Sequence, residues 1–128
     1  MIRGQVSPFR QATIALSVRG DSASLELDAV IDTGFTDFLT LPLTAIDALG
    51  LEAGGETWAR LADGRRVRCT MYAAQVRWEE QWVDLTVLGT RGGALVGMSL
   101  LYGCDLRIAV IDGGEVTIAL LAEPLSAR

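Results

Sequence analysis

Apolar and polar residues alternate in one short run after another along this chain, and turn residues cut each run off early. Residues 11–19 set Ile14, Leu16 and Val18 on one face, the pattern of a strand with one side buried. Gly20-Asp21 marks a turn, and residues 23–31 repeat the pattern through Leu25, Leu27, Ala29 and Ile31. Residues 38–41 read as a short strand ended by Pro42, and Leu43–Leu49 as a short helix stopped by Gly50. Extended stretches at 57–62 and 67–78 flank Asp63-Gly64, a tight-turn dipeptide, which predicts a long hairpin. Residues 81–88 put Val83, Leu85 and Val87 on one face and Trp82, Asp84, Thr86 and Leu88 on the other, with a loop expected over 89–93. Ala94–Val96 is a short apolar strand closed by Gly97, and Met98–Leu101 reads as a helical turn. Strands are expected last at 106–111 and 116–120. Such a succession predicts one mostly β domain over residues 1–128, a barrel or sandwich with one or two short helices.

Composition narrows the chemistry. Half the residues are hydrophobic and 21% are charged, which predicts a packed core. No apolar run approaches the ~18 residues that span a bilayer, so no membrane partner is expected. The first residues lack a signal-peptide layout, and the expected location is the cytoplasm. A net charge of −5 argues against a phosphate-tracking nucleic-acid binder. Cys69 and Cys104 are too few for a disulfide framework. The chain has no histidine, and all 11 basic residues are arginine. That excludes Ser-His-Asp and Cys-His nucleophiles, histidine-ligated metals and Schiff-base lysines. Any proton transfer falls to carboxylates, a thiol, a tyrosine or a bound cofactor.

Two carboxylate motifs stand out. Residues 29–34 read AVIDTG and residues 109–114 read AVIDGG. The second sits between two strand-like runs, so Asp112 belongs to a hairpin turn in which the glycines supply positive φ angles. The first continues into Phe35-Thr36-Asp37 and an apolar stretch, with no immediate return strand. Alone, Asp-Thr-Gly also fits an ordinary turn at a strand end.

The combination of VIDTGFT, the hairpin tip LADG (residues 61–64) and ALVGMSLLYGCDL (residues 94–106) resembles the retropepsin-like aspartic proteases, particularly their small single-lobed bacterial and archaeal forms. The resemblance implies a retropepsin-like closed β barrel and an aspartic endopeptidase that needs no cofactor and no metal. One chain offers one Asp-Thr-Gly, so it implies a homodimer in which Asp32 of each subunit meets at the two-fold axis and acts on a peptide or protein substrate. By the same carry-over, Thr33 ties the two active-site loops together across the interface. Gly34 lets the backbone approach the carboxylates, Thr36 bonds within the loop, and Asp37 touches the substrate backbone. Ala62, Asp63 and Gly64 form the tip of a substrate-covering flap. Phe35 departs from pepsin-like lobes, which carry a hydroxyl at this position. The strands that close the dimer stay open, because the chain continues past 106–108 into EVTIALLAEPLSAR. Two further readings stand beside the protease: a peptide-binding or dimerisation module on the same fold, and an unrelated β barrel for an apolar ligand.

Overall fold

The computed structural model describes residues 1–60 and 63–121. Among these, the strands and helices are β1 (Ile2–Val6), β2 (Ala12–Arg19), β3 (Ser24–Ile31), β4 (Leu39–Pro42), α1 (Leu43–Leu49), β5 (Ala53–Arg60), β6 (Arg66–Trp78), β7 (Gln81–Thr90), β8 (Ala94–Val96), α2 (Met98–Leu101), β9 (Cys104–Ile108) and β10 (Glu115–Leu120).

Strands β2, β3, β8, β4, β7 and β6 form a ring that closes where β6 returns to β2, with Val18 opposite Val76 and Arg19 opposite Gln75. Closure removes the free edges that an open sheet of this size exposes. Alternate residues fill the interior: Ile14, Leu16 and Val18 from β2, Leu39 and Leu41 from β4, Val76, Val87 and Val96 from β6, β7 and β8. All are at most 2% exposed. Burying each such side chain contributes about 1.5–3 kcal/mol. The faces expected from the period-two pattern on β2 and β7 are the faces that turn inward.

Strand β8 lies between β3 and β4, parallel to the first (Val30 opposite Leu95) and antiparallel to the second (Thr40 opposite Leu95). A segment distant in sequence is thereby inserted beneath the loop that joins β3 to β4. Outside the ring, β1 pairs with β2 and β10, and β10 pairs with β9.

Several boundaries differ from those expected, each for a packing reason. Strand β1 was not anticipated, since Gly4 interrupts a short run. A Cβ at Gly4 would collide with the Thr13 carbonyl and come within 2.9 Å of Ile14 Cγ2, so the glycine lets β1 lie against β2. Strand β5 starts at Ala53 because Gly54 and Gly55 form a bulge, with Gly55 at φ 111°. Strand β7 runs through Gly89 to Thr90, where α1 packs so closely that a Cβ would sit 3.0 Å from Ile46 Cδ1 and 3.1 Å from Leu43 Cδ2. Strand β9 begins earlier and ends at Ile108, where residues 109–114 turn back toward β10.

Candidate active site

Strand β3 delivers Asp32 to one end of the barrel. The Asp32 N–H donates to the Val96 carbonyl at 2.9 Å, adding one bond beyond the β3–β8 pairing. The chain then turns tightly. Phe35 N–H donates to the Asp32 carbonyl at 3.1 Å, and Gly34 N–H donates to Asp32 Oδ1 at 3.0 Å. One carboxylate oxygen is held by the backbone, while Oδ2 has no hydrogen-bond partner among the described residues. A Cβ on Gly34 would lie 3.3 Å from Oδ1, tight enough to disturb this contact. Asp32 is half-buried, and Thr33 and Gly34 are exposed.

The loop beyond the turn rests on the start of α2. Gly97 N–H donates to Phe38 O at 3.0 Å, Met98 N–H to Phe35 O at 2.8 Å and Ser99 N–H to Asp37 O at 3.2 Å. Ser99 Oγ–H donates to Thr36 O at 2.6 Å. Every carbonyl from Phe35 to Phe38 is therefore taken by a donor from residues 97–99, which satisfies both the loop and the otherwise unpaired amides of a helix start. Only a glycine fits at 97: a Cβ there would overlap the Asp37 carbonyl and sit 2.6 Å from Phe35 Cδ2. Thr40 secures the floor. Its buried hydroxyl accepts from Leu95 N–H at 2.9 Å and donates to Gly93 O at 3.2 Å.

Of the residues singled out in sequence, Asp32, Thr33, Gly34, Thr36 and Asp37 share this loop. Thr36 bonds within the site through its carbonyl, while its exposed hydroxyl has no partner among the described residues. Asp37 turns its carboxylate back onto its neighbour, accepting from Phe38 N–H at 2.9 Å. Thr33 is exposed. Ser99, Phe38 and Thr40 were given no role from sequence. A serine just after an apolar-apolar-glycine, at the start of a helical turn, was the available signal for Ser99.

Asp63 and Gly64 lie at the tip of the β5–β6 hairpin and make no hydrogen bond to the Asp32 loop among the described residues. Ala62 lies outside the described residues. Gly64 takes φ 87°, and Asp63 accepts from Arg65 N–H at 2.9 Å and from Arg65 Nε at 2.6 Å. These bonds, the backbone one first, hold the Asp63 carboxyl below its ordinary 3.8. Residues Arg66–Arg68 of β6 are exposed on both faces, while on β5 the half-buried Thr57 and Ala59 alternate with exposed Trp58 and Arg60, so the hairpin extends from the barrel as a ribbon. Trp78 belongs to the core, whereas Trp58 is 54% exposed on this ribbon between Arg66 and Arg68, each 5.3 Å from its ring. Cys69, at the ribbon's base, has its thiol pushed up by burial and, secondarily, by the Asp37 charge nearby.

Asp112 sits on the turn between β9 and β10, as expected, but of its two glycines only Gly113 takes a positive φ (72°), whereas at Gly114 a Cβ would collide with the Ala109 carbonyl. A polar groove of about 740 Å³ opens at the opposite end of β3, lined by Arg19, Asp21, Glu52, Gln75 and Asp84 among others. Arg19 donates to Gln75 at 2.7 Å and Gln75 to Asp84 at 2.9 Å, so its central polar groups satisfy one another. No group of three or more His, Cys, Asp or Glu side chains among the described residues is close enough to hold a metal ion.

No protein-family model matches the chain, and no curated protein matches it. Its fold is similar to that of a solved structure, the EIAV protease complexed with the inhibitor HBY-793. The TM-score is 0.55 at 16% identity over 71% of this chain and 85% of that one. The molecule is thus a mostly β closed barrel of retropepsin-like fold with two short helices.

Proposed function

We propose that this chain is an aspartic endopeptidase that works as a homodimer, with Asp32 contributed by each subunit. The observation that carries this reading is the construction around Asp32. A half-buried carboxylate is bonded by its own backbone turn on one oxygen and has no partner on the other among the described residues, in a loop packed so tightly on Gly97 that a Cβ there would overlap it. The same aspartate-to-backbone contact recurs at Asp63, so what distinguishes Asp32 is the loop that follows it, whose carbonyls from Phe35 to Phe38 are all held by donors from residues 97–99. The likeness of fold to a protease carrying an inhibitor supports the same reading.

One carboxylate can give or take a proton, but hydrolysis of an amide needs both acts in one cycle. Two Asp32 side chains meeting across a two-fold axis supply them. Like charges that close share a single proton, the behaviour for which aspartic-protease pairs are the type case. The ionised carboxylate takes a proton from the attacking water as its oxygen bonds to the scissile carbonyl carbon. The protonated one gives its proton to the carbonyl oxygen. The tetrahedral intermediate then collapses, the C–N bond breaks, and the nitrogen leaves with a proton returned from the pair. In this reading the exposed Thr33 of each subunit joins the two loops, and the β5–β6 ribbon serves as the flap over an extended peptide.

The test compares wild type with Asp32→Asn on an unfolded protein substrate at several pH values, with and without a statine-type inhibitor. Cleavage by wild type alone, blocked by the inhibitor, is expected. Peptide binding without cleavage by either protein would assign the fold to strand addition instead.

A further inference from the structure

The ribbon made by β5 and β6 has two faces of unlike chemistry. Register places Trp58 opposite Arg68, Arg60 opposite Arg66 and Glu56 opposite Thr70, so these side chains share one face. Thr57, Ala59, Val67 and Cys69 share the other. That second face is the one turned toward the Asp32 loop: Thr57, Ala59 and Cys69 are half-buried, and the Asp37 charge reaches the Cys69 thiol. The face carrying Trp58 therefore looks away from Asp32 into solvent, and a peptide held beneath the ribbon leaves it uncovered.

Positive charge is gathered on this ribbon. Four of the 11 arginines fall within residues 60–68 of a chain whose net charge is −5. Asp63 holds Arg65 at 2.6 Å and Glu56 holds Arg68 at 3.1 Å, whereas Arg60 and Arg66 meet no carboxylate among the described residues. Like charges directly opposite across a strand pair repel, so Arg60 and Arg66 weaken the ribbon unless an anion lies against them. Beside them Trp58 leaves 54% of its surface exposed, its ring within 5.3 Å of the guanidinium groups of both Arg66 and Arg68. A fixed aromatic ring among arginines is the composition of a binding hot spot, not of a plain solvated edge.

We infer that this face docks an acidic polypeptide segment in extended conformation. The charge selects an anion, and the free side of β5 selects polypeptide. Strand β5 ends the strand order, and its outer side pairs with nothing among the described residues. Past the Gly54–Gly55 bulge it runs regularly from Glu56 to Arg60, so its outward N–H and C=O groups can receive a further strand. A strand added there with acids at alternate positions directs all its carboxylates to one face. On the Trp58 side those carboxylates reach Arg60 and Arg66, and their aliphatic stems cover the indole. A single-stranded nucleic acid supplies charge and bases to stack on Trp58, but it forms no backbone ladder with β5. The site owes nothing to Asp32 and goes beyond the endopeptidase reading.

The experiment follows the fluorescence anisotropy of a dye-labelled peptide alternating glutamate and threonine, about ten residues long, enough to lie along Glu56–Arg60. The same peptide with glutamine for glutamate, and an oligothymidylate of similar length, are the comparisons. The acidic peptide is expected to bind about tenfold or more tightly than the glutamine one, with affinity falling as salt rises. Arg60→Gln/Arg66→Gln and Trp58→Ala are each expected to weaken it about tenfold, with melting temperatures confirming that both variants are folded. Arg10→Gln/Arg107→Gln removes the same charge at exposed positions elsewhere and is expected to change the affinity less than about twofold. Equal binding of the two peptides, indifference to both ribbon variants, or an equal loss in the Arg10 and Arg107 control overturns the proposal. Tighter capture of the oligothymidylate overturns it in favour of a nucleic-acid surface. Asp32→Asn is expected to bind the acidic peptide as wild type does, so failure of cleavage and failure of this surface are read separately.

Discussion

Replacing Gly97 by alanine isolates what holds the Asp32 loop in place. The backbone at Gly97 has φ −98° and ψ 175°, open to any residue, so the substitution costs nothing in conformation. Its whole effect is steric. The new methyl would overlap the Asp37 carbonyl, lie 2.6 Å from Phe35 Cδ2 and 2.9 Å from the Phe35 carbonyl. Two of those three atoms are backbone, so the 35–38 loop must move away by about an ångström to reach ordinary contact distances. Moving it stretches the bonds from Gly97, Met98 and Ser99, now 2.8–3.2 Å. Losing two or three of them, at about 0.5–1.5 kcal/mol each, and loosening Phe35 gives a cost of roughly 3–5 kcal/mol. For a chain of this size that lowers the melting temperature by about 11–19 °C. Gly93→Ala is the control, because a Cβ there meets nothing within 4 Å, and it should melt within about 2 °C of wild type. Calorimetry of the three proteins at one concentration reads the difference, and amide exchange over residues 35–38 shows whether the loop is what opened. A Gly97→Ala protein melting with the Gly93→Ala control would refute the steric reasoning.

Thr40→Val keeps the shape of a buried side chain but leaves the Leu95 N–H without its acceptor, so denaturant titration should show a loss of about 1–3 kcal/mol. The Asp63 carboxyl should titrate by carbon NMR below its ordinary 3.8, returning toward that value in Arg65→Ala. Because its folded value is lowered, the order it gives the ribbon tip is present above the usual carboxylate range and lost as pH falls through the lowered value. Cys69, its thiol raised by burial first and Asp37 second, should alkylate more slowly than a free thiol at pH 8, and Asp37→Asn should speed it.

The barrel was legible wherever one face of a strand is buried and the other wet, as on β2 and β7, because period-two alternation then records the inside directly. It failed where glycine serves close approach. Gly89 reads as the start of a loop, and the runs around Gly4 and Gly54 give no strand signal, yet all three lie within strands because a neighbouring strand or helix comes too near for a side chain, or because a bulge sits there. At the site, the Asp-Thr-Gly turn and the Val96-Gly97 element were visible as words. Their joining was not, since the bonds from 97–99 to the loop link residues some sixty positions apart, made adjacent only by inserting β8 between β3 and β4. Thr36 illustrates the limit: sequence suggests its hydroxyl, and the fold uses its carbonyl. The exposed Trp58 is another, since an aromatic residue predicts burial unless its strand leaves the barrel.

Mixing wild type with Asp32→Asn at fixed total concentration, with time for subunits to exchange, probes the shared acid–base pair most directly. If each working site takes one Asp32 from each subunit, an equimolar mixture retains about one quarter of the wild-type cleavage rate, because only that share of dimers carries both aspartates. A retained rate of about one half would mean that each chain cleaves by itself, and the paired-carboxylate mechanism would be wrong.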